Sequence, residues 1–245
     1  MTLHLMGSVL SPFVRKARIV LEEKGIDYSL EPVVPFMAPD SFTDLSPLRR
    51  VPVLKDSEIG PDWALPDSSA ICSYIERKYP IPALYPTAAA DYGRALWFEE
   101  YADTEFSNII GQSIFRPSLV QVLLGSEPDL ELAERTFEET LPPYFGYLEG
   151  SIASRTFFVG DALGIADISI AVHFQNLRLA GFEIDATEYP ALAVFVDRLL
   201  TRKSFSKCFD EEAAFLRKQG YKPRPSLAPE IAESNLREKG NTNDG

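Results

Sequence analysis

The feature that most constrains the fold is a change of period at the proline-rich stretch Pro80, Pro82 and Pro86. Before it, short strand patterns alternate with helical ones; after it, helical spacing alone runs on to about Gly220. Residues 2–6 alternate in polarity as a strand does, and Gly7 to Leu10 reads as a turn. Ser11 suits an N-cap and Pro12 the first helical position, and Val14, Ala17, Arg18 and Leu21 then recur at helical spacing until Gly25 ends the run. A strand around 27–34 follows, then a loose stretch with Pro35, Pro39 and a helical turn near Ser41 to Leu45. Val51 to Leu54 reads as a strand with proline at its entry, where a missing N–H is tolerated. A turn leads to a strand at Trp63 to Leu65, and Asp67-Ser68 starts a helix running to about Tyr79. This order predicts an α/β domain over 1–80, a linker over 81–90 and an all-α domain over 91–222, with breaks near Pro117, 125–128, Pro142-Pro143, Gly160 and Pro190. Residues 223–245 hold few large apolar groups to offset their ordering entropy and are expected to form a mobile tail.

Charge and cysteine usage narrow the function classes. With 36 acidic against 24 basic residues the chain carries a formal charge of −12, which repels phosphate backbones and anionic membrane surfaces, so nucleic acid is excluded as the expected partner. No segment has the features of a signal peptide or a membrane span, and the chain is read as soluble and cytoplasmic. Cys72 and Cys208 lie far apart without metal-ligand spacing, so neither a disulfide nor a metal site is expected.

Four local features remain. The first is Ser11-Pro12-Phe13-Val14-Arg15-Lys16-Ala17-Arg18 with Leu21-Glu22-Glu23-Lys24-Gly25-Ile26-Asp27-Tyr28. The second is Arg49-Arg50-Val51-Pro52-Val53-Leu54, and the third is Asp67-Ser68-Ser69-Ala70-Ile71. The fourth runs from Val159 to Ser169 and has the form of an N-capping box and hydrophobic staple, with Asp167 reaching back to the Gly164 N–H and Leu163 facing Ile168. Each of the first three is ordinary alone: Ser11 and Asp67 or Ser68 serve as N-caps, and Pro52 as a strand entry. In this order and spacing, from residue 3 to about 218, they resemble the serine-type members of the cytosolic glutathione transferase family.

The resemblance implies a thioredoxin-like α/β domain followed by a helical-bundle domain, with glutathione as co-substrate and no metal. It implies that the Ser11 hydroxyl donates to the glutathione sulfur. A cysteine-type thiol has a pKa of about 8.5, and a hydroxyl donor with a positive helix end favours the thiolate nucleophile. It further implies a cis bond before Pro52, found in only about 5% of X-Pro bonds, with the Val51 backbone pairing the cysteinyl unit. Arg50, or equally Arg49, would meet the glycine carboxylate, and Asp67 and Ser68 the γ-glutamyl ammonium and carboxylate. Phe13 is expected beside the glutathione, and Phe36, Tyr101, Phe106, Ile110 and Phe115 against a small hydrophobic electrophile.

Where the pattern departs, Gly164 replaces the usual Ser or Thr, at a cost of a few tenths of a kcal/mol. Ser8 is the rival for Ser11. Absence of cysteine at position 11 argues against disulfide-reducing relatives, absence of tyrosine in the first strand against the tyrosine type, and Phe13 replaces the cysteine of isomerase-like members. His4, His173 and Cys72 are read as structural. Relatives are commonly homodimers, so a homodimer is expected, and the implied role is detoxification by conjugation. The alternatives are a non-catalytic binding or regulatory protein of the same fold, or a glutathione-dependent peroxidase or isomerase.

Overall fold

A computed structural model describes residues 2–221; the tail expected over 223–245 lies outside the described residues. The first half contains strands β1 (Leu3–Met6), β2 (Tyr28–Glu31), β3 (Val53–Asp56) and β4 (Ala64–Pro66), with helices α1 (Pro12–Glu23), α2 (Phe42–Leu45) and α3 (Ser68–Lys78). The sheet order is β2-β1-β3-β4. β1 runs parallel to β2, with Leu3 opposite Tyr28, and antiparallel to β3, which is antiparallel to β4. The parallel pair requires a crossover, which α1 supplies.

Alternation along β1 decides which layer each side chain joins. Leu3 and Leu5 point into the large core with Val14, Ala17, Val20 and Ile71, whereas Met6 joins Val53 and Phe42 in a small core on the other face. The sheet is thus sandwiched, with α1 and α3 on one side and α2 on the other.

The second half is helical: α4 (Ala89–Tyr101), α5 (Gln121–Leu123), α6 (Leu130–Arg135), α7 (Pro142–Ile152), α8 (Ile165–Leu179), α9 (Pro190–Leu200) and α10 (Lys203–Lys218). The chain does not break at Pro117 as its sequence suggests. A π-wound stretch, Ala102–Val120, joins α4 to α5 with Pro117 inside it. Proline in an α-helix clashes with the carbonyl four residues back, and wider winding moves that carbonyl away. Every residue of α8 except Arg178 is buried, which makes it the central post of the domain. At its start Asp167 accepts from the N–H groups of Gly164 at 2.9 Å and Phe158 at 2.8 Å. A Cβ on Gly164 would lie 3.1 Å from the Leu84 carbonyl oxygen, which accounts for glycine at this cap. Among the described residues no helix is long and apolar enough to cross a membrane.

Candidate active site

Register brings three corners of the chain to one end of the sheet. Met6 lies opposite Val53, and Val53 lies opposite Pro66. The residues just beyond this row are Gly7 to Ser11, Val51-Pro52 and Asp67-Ser68. Neighbouring strands are about 4.8 Å apart, so the three corners fall within roughly 10 Å of one another. Gly7 permits the approach: a Cβ there would sit 2.4 Å from Val14 Cγ2 and 3.3 Å from Val51 Cβ. The Asp67 N–H donates to the Pro52 carbonyl at 3.3 Å, tying the second corner to the third.

At the first corner, Ser8 and Ser11 have different tasks. Ser8 closes the turn, its carbonyl accepting from the Ser11 N–H at 3.1 Å and its hydroxyl from the Leu10 N–H at 3.4 Å. Ser11 is the N-cap of α1, in extended conformation, half-buried, with its hydroxyl 3.4 Å from the Val14 N–H. That bond is long for N–H···O, whose common length is about 2.9–3.0 Å, so the hydroxyl is only lightly committed to capping. Pro12 occupies the first helical position, and Phe13, half-buried, follows.

The second corner has the cis Val51–Pro52 bond that the family resemblance implies. Pro52 is buried and Val51 half-buried. The two neighbouring arginines separate. Arg49 has a φ of 50° and its guanidinium donates to the carbonyls of Pro35, Ala38 and Pro39 and to Thr43 Oγ1, clasping the loop before α2. Arg50 is held by its backbone, whose N–H donates to Ser46 Oγ and whose carbonyl accepts from it, both at 2.9 Å. Its side chain is exposed, without an ion pair among the described residues.

At the third corner Asp67 has a φ of 83°, unusual for a non-glycine residue, and caps α3 by accepting from the Ala70 N–H at 3.0 Å. Ser68, 3% exposed, is the first residue of α3. The exposed Asp67 carboxylate, the buried Ser68 and the first N–H groups of α3 meet here, and a helix N-terminus favours an anion.

Beneath the site lie groups that the sequence reading passed over. Arg15, Lys16 and Arg18 of α1 are all buried. Arg15 makes a bidentate pair with Glu212 of α10, Nε–Oε1 at 2.7 Å and Nη2–Oε2 at 2.9 Å, and its Nη1 donates to the Val172 carbonyl and Asn176 Oδ1 of α8. Lys16 Nζ lies 3.0 Å from Ser69 Oγ, 3.1 Å from Glu99 and 2.5 Å from Asp103. Burial opposes its charge, but Asp103 and Glu99 prevail and hold the ammonium above the usual lysine range. Arg18 pairs with Glu211 and donates to the Tyr28 hydroxyl. A burial signal was absent from the sequence, since such charges ordinarily mark a solvated face. Cys72 and Cys208 are buried; burial pushes the Cys208 thiol up to about 12 and also raises Cys72.

The expected wall for a second substrate does not assemble as one surface. Phe106, Ile110 and Phe115 are 0%, 0% and 5% exposed, packed in the helical core. Phe106 meets Phe174 and His173 of α8 edge-on, because the helical period that groups these side chains turns them towards α8. Tyr101 is half-buried among Trp97, Tyr144 and Tyr147, and Phe36 stands exposed before α2. Phe13, expected beside the glutathione, follows Pro12 at the Ser11 corner.

Family models for the N-terminal and C-terminal domains of glutathione S-transferase match residues 5–83 and 115–209. The GST-like protein YibF of Escherichia coli (strain K12) is 32% identical over 212 residues, spanning 84% of this chain and 97% of that one. The chain belongs to the glutathione S-transferase family. A solved glutathione S-transferase from Rhodospirillum rubrum F11 superposes with a TM-score of 0.80 at 26% identity, covering 93% of this chain and 98% of that one. FtsZ-localized protein A of Caulobacter vibrioides is 25% identical over 197 residues, covering 80% of this chain and 86% of that protein. The family therefore includes relatives named for an enzyme activity and one named for a cellular location. In this glutathione S-transferase fold the thioredoxin-like half carries all three corners.

Proposed function

We propose that this glutathione S-transferase family member binds glutathione across the three corners and transfers its thiolate to a small hydrophobic electrophile. The observation that carries the reading is the Met6–Val53–Pro66 row, which aligns Ser11, Val51 and Asp67-Ser68 at one end of the sheet. Glutathione is an extended tripeptide, and each corner offers what one of its parts requires. The Val51 N–H and carbonyl pair the cysteinyl backbone beside cis Pro52. Asp67 takes the γ-glutamyl ammonium, Ser68 and the α3 N–H groups take its carboxylate, and Arg50 reaches the glycine carboxylate.

The sulfur then lies at Ser11. Its proton leaves to solvent, the hydroxyl and the start of α1 stabilise the resulting thiolate, and the sulfur attacks carbon. On an aryl halide, a C–S bond forms and halide departs with the C–X electron pair. Phe13 supplies apolar surface beside that step. This reading extends to a cytoplasmic homodimer acting in detoxification, with glutathione held by residues 1–80 and the helical half, 91–222, closing over the electrophile.

A second reading, a binding or regulatory protein that keeps the site without useful turnover, is favoured by the similarity to FtsZ-localized protein A. Calorimetric titration with glutathione, run beside turnover of aryl halides, epoxides and hydroperoxides, separates them. Transferase function gives saturable binding with turnover on at least one class, and Ser11→Ala keeps binding while losing roughly 100-fold or more in rate, the usual loss when a stabilising donor is removed. Binding without turnover favours the second reading, and equal rates for Ser11→Ala refute the role of Ser11.

A further inference from the structure

His173 stands at the centre of α8, fully buried, and among the described residues neither ring nitrogen has a hydrogen-bond partner. Burial first, then the nearby Arg15 and Lys16, lower its pKa to about 3, so the ring is neutral at ordinary pH. With both nitrogens unpartnered among the described residues, the contacts that employ this residue are those of the ring itself. It meets Phe13 at a centroid distance of 6.1 Å and 84°, and Phe106 at 6.1 Å and 73°. Both are edge-to-face arrangements within the favoured range. An aliphatic side chain would fill this space without burying two unpaired nitrogens, but it would not give the two phenyl rings a flat partner.

Phe13 is two residues from Ser11, in a turn whose hydroxyl cap is long at 3.4 Å. The turn therefore needs support from below. We infer that His173 is a positioning residue for the Ser11 turn: its ring seats Phe13 edge-on, and Phe13 in turn fixes where the Ser11 hydroxyl points. This deepens the proposed function, on which its consequence for glutathione rests. It also joins the central post of the helical half to the thiol site in the α/β half.

The test compares wild type with His173→Leu, His173→Phe and Phe13→Leu, each checked for folding by circular dichroism. The first readout needs no glutathione. In protein labelled with 4-fluorophenylalanine, the Phe13 resonance, assigned by its loss in Phe13→Leu, is expected to shift and gain solvent exposure in His173→Leu. An unchanged resonance overturns the proposal whether or not glutathione binds. The second readout is the ultraviolet absorbance of bound glutathione thiolate across pH.

His173→Leu is expected to lower the ratio of bound thiolate to thiol about tenfold, one unit of thiol pKa, with the Kd for protonated glutathione, measured well below that pKa, within about twofold of wild type. His173→Phe, which keeps a flat ring, is expected to rescue most of that loss. If His173→Leu does not fold, Phe13→Leu is expected to reproduce the thiolate loss by removing the other side of the contact. A folded His173→Leu protein with the wild-type thiol pKa, or a His173→Phe protein as impaired as His173→Leu, overturns the inference. Absence of glutathione binding by the wild type would instead refute the proposed function.

Discussion

Replacing Arg15 by methionine tests the buried pairing under α1 most directly. The substitution keeps most of the aliphatic volume and deletes the guanidinium, leaving Glu212, 0% exposed, with only the Gln175 amide among the described residues donating to it, at 2.6 Å. The Val172 carbonyl and Asn176 Oδ1 lose a donor as well. Breaking a buried pair from one side costs about 3–5 kcal/mol, chiefly because the remaining charge is stranded. For a protein of this size each kcal/mol moves Tm by about 2–4 °C, so Arg15→Met is expected to melt roughly 6–20 °C below wild type. The double variant Arg15→Met/Glu212→Leu removes both charges. It is expected within about 2 kcal/mol of wild type, since apolar replacements of buried pairs are often neutral or better, offset here by the unpaired Asn176 and Gln175 groups.

Urea and thermal denaturation of the four proteins complete the cycle. Burial already raises the Glu212 pKa, and losing Arg15 raises it further. The Arg15→Met deficit should therefore shrink as pH falls and the stranded carboxylate takes up a proton. Single variants that add to the double within about 0.5 kcal/mol, or an Arg15→Met cost below about 1 kcal/mol, would refute the account.

Three further outcomes are expected. Gly7→Ala forces a Cβ to within 2.4 Å of Val14 Cγ2, a stiff branched side chain in the core; it should cost about 1–3 kcal/mol and weaken glutathione binding, read by denaturation and titration. Arg49→Ala should raise hydrogen exchange in the loop from Pro35 to Thr43, which Arg49 clasps. Arg50→Ala should leave exchange there unchanged and weaken binding of glutathione more than that of its analogue lacking the glycine carboxylate. His173 has a folded pKa of about 3 against the ordinary histidine value of 6.5, so the unfolded chain binds the extra proton between these values and stability falls as pH drops through that window. The stability difference between His173→Phe and wild type should grow in favour of the variant by about 1.4 kcal/mol per pH unit from 6 to 4, and a flat difference would refute the burial argument.

The parts of the site that were legible in the sequence are those fixed by local turn chemistry. Ser11 and Pro12 begin a helix because one caps and the other lacks an N–H, Asp67 caps α3 through its own side chain, and Pro52 stands at the entry of β3, where only the family resemblance implied a cis bond. What was not legible depends on distant partners. Arg15 and Glu212 are 197 residues apart, and Lys16 and Glu99 are 83 apart, so nothing near α1 announces that its cations are buried. Phe106, Ile110 and Phe115 show the converse, since an apolar stripe reads alike whether it faces a pocket or α8. Arg49 and Arg50 are equivalent as letters and differ only because a positive φ turns one back onto the loop.

α1 consequently has two roles that its length joins. Its first turn presents Ser11 and Phe13 at the three-corner site, while Arg15, Lys16 and Arg18 reach α8, α10, α4 and the π-wound stretch that follows α4. Apolar packing between α1 and α8 would hold the halves together but tolerate sliding, because dispersion contacts are individually weak and non-directional. Three buried cations held in four ion pairs do not tolerate it: a shift of even 1 Å would strand buried charge. The network thus trades little net stability for a defined pose of the helix, and that pose sets where the Ser11 hydroxyl stands relative to Val51 and Asp67. The charges of the helical half thereby act on the pose of the α/β half, and Asp103 meets its third corner directly, accepting from Ser69 Oγ at 3.0 Å.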